Sequence, residues 1–239
     1  MNRYKSSSQL KSLAKGQLLG KYATVIGAFF LSQLIIFMLS SISAIFIDTS
    51  NLLGIIIDFL VTFIISLFSG IFSCGYAYIY LNICCGRNCS ASDVFYGFKL
   101  HTDKALLLQL VIVGISTVSM LPCYIFLFIA NYTLNIIWVL PTCIALIIGA
   151  VVAAYFLLTF SQVYYLLLDF PDYSVKQILS LSKTIMKGHK ARLFYIMVSF
   201  LPLYLLALLS FGIGMLWVTP YVNATMTNFY LDLMRNRQA

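Results

Sequence analysis

Six long apolar runs, each bounded by charge, constrain this chain more than any other feature: about Tyr22 to Ile47, Leu53 to Tyr80, Ala105 to Ala130, Leu134 to Leu168, Ala191 to Leu209 and Gly212 to Leu231. A helix needs about 20 apolar residues to cross the hydrocarbon core of a bilayer, so each run predicts a membrane span. Little is left for anything else, because 62% of the 239 residues are hydrophobic and only 9% charged. The expected fold class is therefore all-α: a single polytopic six-span membrane domain over residues 1–239. The first run follows a 21-residue lead and is longer than the apolar region of a secretion signal, so it is expected to stay in place rather than be cleaved.

All fifteen Lys and Arg residues fall in alternate hydrophilic segments. Arg3, Lys5, Lys11, Lys15 and Lys21 precede the first run; Arg87, Lys99 and Lys104 follow the second; Lys176, Lys183, Lys187, Lys190 and Arg192 follow the fourth; Arg235 and Arg237 follow the last. The positive-inside bias places both termini in the cytoplasm. The intervening connections, around Asp48, Asn131 and Gly212, are too short to form an external domain. A net charge of +8 beside a membrane, with no aromatic stacking platform, points to anionic lipid head groups as partners and not to nucleic acid.

Between Ser174 and His189, the apolar Val175, Ile178, Leu179, Ile185 and Met186 alternate at helical spacing with Lys176, Ser180, Lys183, Lys187 and Lys190. This predicts an amphipathic helix on the cytoplasmic membrane surface, capped by Asp172 or Ser174 and stopped near Gly188. It reads more readily as an elbow joining spans four and five than as a lipid or partner sensor. Residues Ser8 to Leu19 repeat the pattern more weakly. A shift of 86 residues lays Tyr78 on Tyr164, Lys104 on Lys190 and Ala105 on Ala191, which suggests a parallel internal repeat over about 51–130 and 134–231. The tyrosines Tyr76, Tyr78, Tyr80, Tyr164 and Tyr165 read as an interfacial belt.

Asp58 is the one acidic side chain inside the predicted spans, and it heads a polar stripe with Thr62, Ser66, Ser69 and Ser73 on one helix face. Two readings stay open. The stripe lines a path for a small solute or ion, or Asp58 snorkels to the far surface while the hydroxyls bond their own backbone. Gly149, Ala150, Ala153 and Ala154 predict a close helix contact, and Pro122, Pro141, Pro202 and Pro220 predict kinks. Gly212 and Gly214 predict a tight hairpin turn before Trp217 and Pro220.

Catalysis inside a membrane needs titratable groups, and this chain has no Glu, while His101 and His189 both fall in the elbows. No enzyme activity, cofactor or metal is expected. Cys84, Cys85 and Cys89, with His101 following, lack the paired spacing of structural zinc sites. Cys123 and Cys143 lie at similar depth in a predicted hairpin but are expected to remain thiols.

The segments Thr184-Ile-Met-Lys-Gly-His-Lys-Ala-Arg-Leu-Phe-Tyr195, Leu209-Ser-Phe-Gly-Ile-Gly-Met-Leu-Trp-Val-Thr-Pro-Tyr221, Ala224-Thr-Met-Thr-Asn-Phe-Tyr230 and Ser92-Asp-Val-Phe-Tyr-Gly-Phe-Lys99 carry a resemblance. Together they resemble a bacterial family of integral membrane proteins known as domain of unknown function nine hundred and seventy-five. The resemblance implies a six-span protein of the bacterial inner membrane and brings no activity, ligand or catalytic residue with it. The expected role is that of a noncatalytic envelope or assembly partner, with a protein partner in the membrane. The alternative is a small-solute transporter or channel using Asp58 and Ser66.

Overall fold

A computed structural model describes residues 4–48, 51–100, 102–133 and 135–238. Arg3, His101 and Leu134, each part of an expectation above, lie outside the described residues. The described residues form ten α-helices: α1 (Ser7–Leu18), α2 (Tyr22–Phe46), α3 (Leu52–Cys84), α4 (Thr102–Thr133), α5 (Val139–Phe160), α6 (Val163–Asp169), α7 (Val175–Ile185), α8 (Lys190–Val198), α9 (Leu201–Leu209) and α10 (Met215–Gln238). Short 3-10 helices, Ala91–Phe98 and Ile136–Trp138, precede α4 and α5.

Five stretches are long and apolar enough to cross a membrane: Tyr22–Phe46, Leu52–Cys84, Thr102–Thr133, Ile136–Asp169 and Lys190–Leu209. The last predicted run forms α10, which is long enough but too polar to join these five. Its position supplies the reason: α10 packs against α1, α2, α3 and α9, burying Ala224, Phe229 and Tyr230. A helix that faces protein on most sides can carry Asn223, Thr227, Asn228 and Asp232 without exposing them to lipid.

At 33 and 32 residues, α3 and α4 reach about 50 Å, well beyond the roughly 30 Å hydrocarbon core. Two of the apolar runs are broken. The fourth run stops at Phe160 and resumes as α6; the fifth stops at Val198 and resumes as α9, whose second residue is Pro202. Proline lacks the N–H that would continue the helix, so this break follows directly from sequence. Pro122 and Pro220, by contrast, are accommodated inside α4 and α10.

Each break frees a main-chain carbonyl in or just past a last helical turn, and each carbonyl is claimed by a side chain from another helix. Ser182 of α7 donates to the Thr159 carbonyl at 2.8 Å. The Lys11 ammonium of α1 donates to the Ser199 carbonyl at 3.0 Å and stands over the Phe200 ring. Burial in that position lowers the Lys11 pKa from its ordinary value.

Of the two expected caps, Asp172 and Ser174, it is Ser174 that starts α7, in a reciprocal capping box with Gln177, and Gly188 at φ +81 follows its end. Its apolar face, however, is not laid on a surface. Ile178 and Met186 are fully buried in the same core as Leu108, Leu166, Phe200 and Phe229. α1 behaves alike: Leu10, Ala14 and Leu18 are fully buried, and the helix packs mainly on α10. Both amphipathic segments thus turn their apolar faces onto protein. An alternation of apolar and charged residues at helical spacing looks the same whether protein or lipid covers the apolar side.

The contact predicted from Gly149, Ala150, Ala153 and Ala154 joins α5 to α4, where Gly149 lies against the Ser119 carbonyl. The hairpin between α9 and α10 turns at Gly212, whose φ of +85 is the left-handed conformation that glycine adopts without strain. Cys123 and Cys143 are free thiols, one buried and one exposed.

Candidate functional site

The polar stripe of α3 divides into two parts. Asp58 is partly exposed and Thr62 exposed, toward the far end of the helix. Nearer the basic end the hydroxyls turn back onto their own helix: Ser66 donates to the Phe63 carbonyl at 2.6 Å, Ser69 to the Ser66 carbonyl at 2.6 Å and Ser73 to the Ser69 carbonyl at 3.0 Å. Gln109 of α4 closes over this segment, its amide donating to the Ser66 carbonyl at 3.1 Å and to Ser69 Oγ at 3.0 Å. Gly70 makes the closure possible, because a Cβ there would stand 2.4 Å from Gln109 Cβ. Tyr164 of α6 completes the chain by donating to Gln109 Oε1 at 2.5 Å.

Beyond Tyr164 the structure opens into a cavity of about 190 Å³ between three helical elements. Ser73, Tyr76 and Tyr80 come from α3, Ser161, Tyr164 and Tyr165 from the α5–α6 break, and Asn223 from α10. A second cavity, of about 120 Å³, lies between α2 and α10 and shares Tyr76, Tyr80 and Asn223 with the first. Several hydroxyls of this ring are already bonded across helices: Tyr76 with Ser32 of α2, and Tyr165 with Thr227 of α10 at 3.0 Å. Beside Ala77 and the tyrosine rings, the polar groups of the lining are hydroxyls and one amide, with neither a carboxylate nor an amine. Such a site can hydrogen-bond a neutral solute and offers no acid–base pair.

Of the five stripe residues, only Ser73 reaches this cavity. The sequence pattern suggests tyrosines at a membrane interface; the structure instead turns Tyr76, Tyr80, Tyr164 and Tyr165 inward, with Tyr80 almost fully buried. Spacing carried a signal for this: Ser73, Tyr76, Ala77 and Tyr80 lie at i, i+3, i+4 and i+7, a single helix face.

At the basic end, Lys176 and Lys183 are exposed on the polar side of α7 and Lys187 is exposed in the turn after it, while the Lys190 ammonium stands 3.6 Å over the Tyr155 ring. Arg192 of α8 does something the sequence did not announce. It pairs with Asp232 of α10 at 2.5 Å and also donates to the Lys5 carbonyl at 2.6 Å, while the Lys5 N–H donates to Asp232 at 3.2 Å. The N-terminal segment, α8 and α10 are thereby tied at one carboxylate. Asn228 and Asn236, one turn to either side of Asp232, share its helix face, and that spacing was the available clue. Asn228 donates to Gln17 of α1 at 2.6 Å, and Gln17 in turn to the Cys84 carbonyl at 3.0 Å.

Among the described residues, no group of three His, Cys, Asp or Glu side chains could hold a metal ion. Cys84 packs against Asn228, whereas Cys85 is exposed. Outside the helices, burial raises the Cys89 thiol pKa above its ordinary value.

Among known proteins, a family model described as a protein of unknown function, DUF975, aligns with residues 1–237. No curated protein and no solved structure matches. With nearly its whole length covered by that model, the chain belongs to the DUF975 family.

Proposed function

We propose that this chain is a six-pass protein of the bacterial cytoplasmic membrane, with its basic end and both termini inside, that serves as a noncatalytic partner in envelope assembly. The alternating distribution of all fifteen basic residues supports the orientation. The α3–α4–α6 contact carries the functional reading. Ser66, Ser69 and Ser73 donate to their own backbone, and Gln109 covers the segment that would have to conduct. A path from Asp58 through Ser66 has no open lining there. The repetition of a long helix, a short amphipathic segment and a further helix in each half favours two parallel repeats within one domain.

The tyrosine-lined cavity favours a second reading, in which a small neutral solute is held or passed between α3, α6 and α10. Flux measurements in reconstituted vesicles separate the two. On the partner reading, Asp58→Asn and Asn223→Leu both leave cation and neutral-solute leakage at the level of the unaltered protein. A loss of neutral-solute flux in Asn223→Leu alone establishes the second reading, and a loss of cation flux in Asp58→Asn restores the stripe as a path. The orientation is checked by cysteine labelling from either side. Accessibility of Lys187→Cys only from outside overturns it.

A further inference from the structure

We infer that the basic end carries a phosphate-recognition pocket built by the end of α7, the end of α10 and the N-terminal segment. Lys187, His189 and Arg237 line one cavity of about 210 Å³, together with the hydroxyl-bearing Thr184 and Tyr4. At roughly 30 Å³ per water, that space exceeds several water molecules and admits a phosphate with part of the group it esterifies. Ile185 and Leu233 supply apolar surface on the same wall, where the first carbons of such a group would lie.

The charge balance in the pocket is one-sided. Asp232, the nearby acid, is occupied by Arg192, by the Lys5 N–H and by Asn236. Among the described residues, Lys187 and Arg237 have no ion-pair partner. Behind the Tyr4 wall the Arg192 guanidinium stands 5.3 Å from the Tyr4 ring, and its Nη1 is buried without a hydrogen-bond partner. Two exposed cations, an imidazole and the Tyr4 hydroxyl from three chain segments converge on the space, while the Thr184 hydroxyl turns back onto the Ser180 carbonyl at 2.9 Å. A carboxylate offers two oxygens to such a donor set; a phosphate offers three or four, and Arg and Lys bind it by charge-assisted hydrogen bonds.

The place in the fold suits a phosphate at a membrane surface, because His189 immediately precedes the apolar stretch Lys190–Leu209. Lipid headgroups and soluble phosphate share this chemistry. The inference does not depend on α7 lying on lipid, since Lys187 meets Tyr4, His189 and Arg237 from separate segments there, and Lys176 and Lys183 do not line the pocket.

The test uses the full chain in neutral detergent, with binding measured calorimetrically to inorganic phosphate, to micelles doped with phosphatidic acid, and to micelles doped with diacylglycerol. Lys187→Gln with Arg237→Gln should weaken phosphate or phosphatidic acid binding at least tenfold. Lys176→Gln with Lys183→Gln, which removes equal charge from α7 outside the pocket, should leave it within about twofold. Tyr4→Phe gives a milder loss, and it stands in if the double variant fails to keep its melting temperature. Binding of both phosphate probes identifies a site for the free anion as well as the headgroup; binding of phosphatidic acid alone identifies a headgroup site. Equal losses in the two double variants, diacylglycerol binding as tight as phosphatidic acid, or no binding by either phosphate probe overturns the inference.

Discussion

The two ends of the long helices are made of similar residues and do opposite things. At the basic end, Leu10, Leu108, Leu166, Ile178, Phe200, Phe229 and Tyr230 are fully buried. At the far end, Phe37, Phe46, Phe128, Ile147 and Leu209 are exposed, although they are no less apolar. Hydrophobicity therefore does not decide which end packs. Lipid solvates apolar side chains as well as another helix does, so helices in a bilayer associate through close backbone approach and polar contacts. Those contacts are concentrated at the basic end: Gln109 with Ser66, Ser69 and Tyr164; Gln17 with Cys84 and Asn228; Arg192 with Asp232 and Lys5. The short helices α1, α6 and α7 also lie there, which gives the long helices something to pack against besides one another.

The sharpest way to break this contrast is to truncate equal side chains at the two ends. Phe229→Ala should destabilise the protein by about 3–5 kcal/mol, the range for deleting a buried aromatic ring. Phe128→Ala, at the exposed end, should change stability by no more than about 0.5 kcal/mol. Thermal unfolding in detergent reads both, and equal losses would mean that the far halves are packed too.

The ion pair ranks next. Asp232→Ala strands the Arg192 guanidinium and the Lys5 N–H, and should cost about 2–3 kcal/mol. That is less than the roughly 3–5 kcal/mol of a fully buried pair, because the Arg192 side chain is 22% exposed. The double variant Arg192→Met with Asp232→Leu should recover much of the loss. A single-variant cost below about 0.5 kcal/mol would show that the N-terminal segment is held by packing alone.

Gln109→Leu sharpens the picture within the packed half. It removes two donated hydrogen bonds and the acceptor of the Tyr164 hydroxyl, at about 1 kcal/mol, since polar contacts between membrane helices are individually modest. Tyr164→Phe in the same background should then add almost nothing. Additive losses would place the two side chains in separate networks.

The smallest expected effect is a pH dependence at the basic end in phosphate-free buffer. Burial, and after it the adjacent Arg192, lower the His189 pKa, with Asp232 opposing them. Because its folded value is depressed, the unfolded chain takes up a proton more readily than the folded one. Stability should decline as the pH falls through the ordinary imidazole value of about 6.5, and be restored above it. His189→Gln should flatten that decline; an unchanged profile would assign it to other groups.

The sequence by itself determined the helical class and, of the six apolar runs it predicts, the five that are long and apolar enough to cross a membrane, because each depends on local composition and helical period. It also gave local stops and starts: a cap at Ser174, the turn at Gly212 and an interruption at Pro202. Periodicity reports that a helix has an apolar face, not what covers it, so α7 and α1 read as surface helices when the apolar faces of both are buried in the core. The stripe on α3 was legible as a face, but Gln109 and Tyr164, which close it, lie 40 and more positions away. Tertiary structure alone decided that the tyrosines turn inward to form a cavity, that Arg192 meets Asp232, and that Lys187, His189 and Arg237 share a pocket. Each of these joins segments distant in the chain, and a contact of that kind is set by how helices cross, which no local pattern encodes.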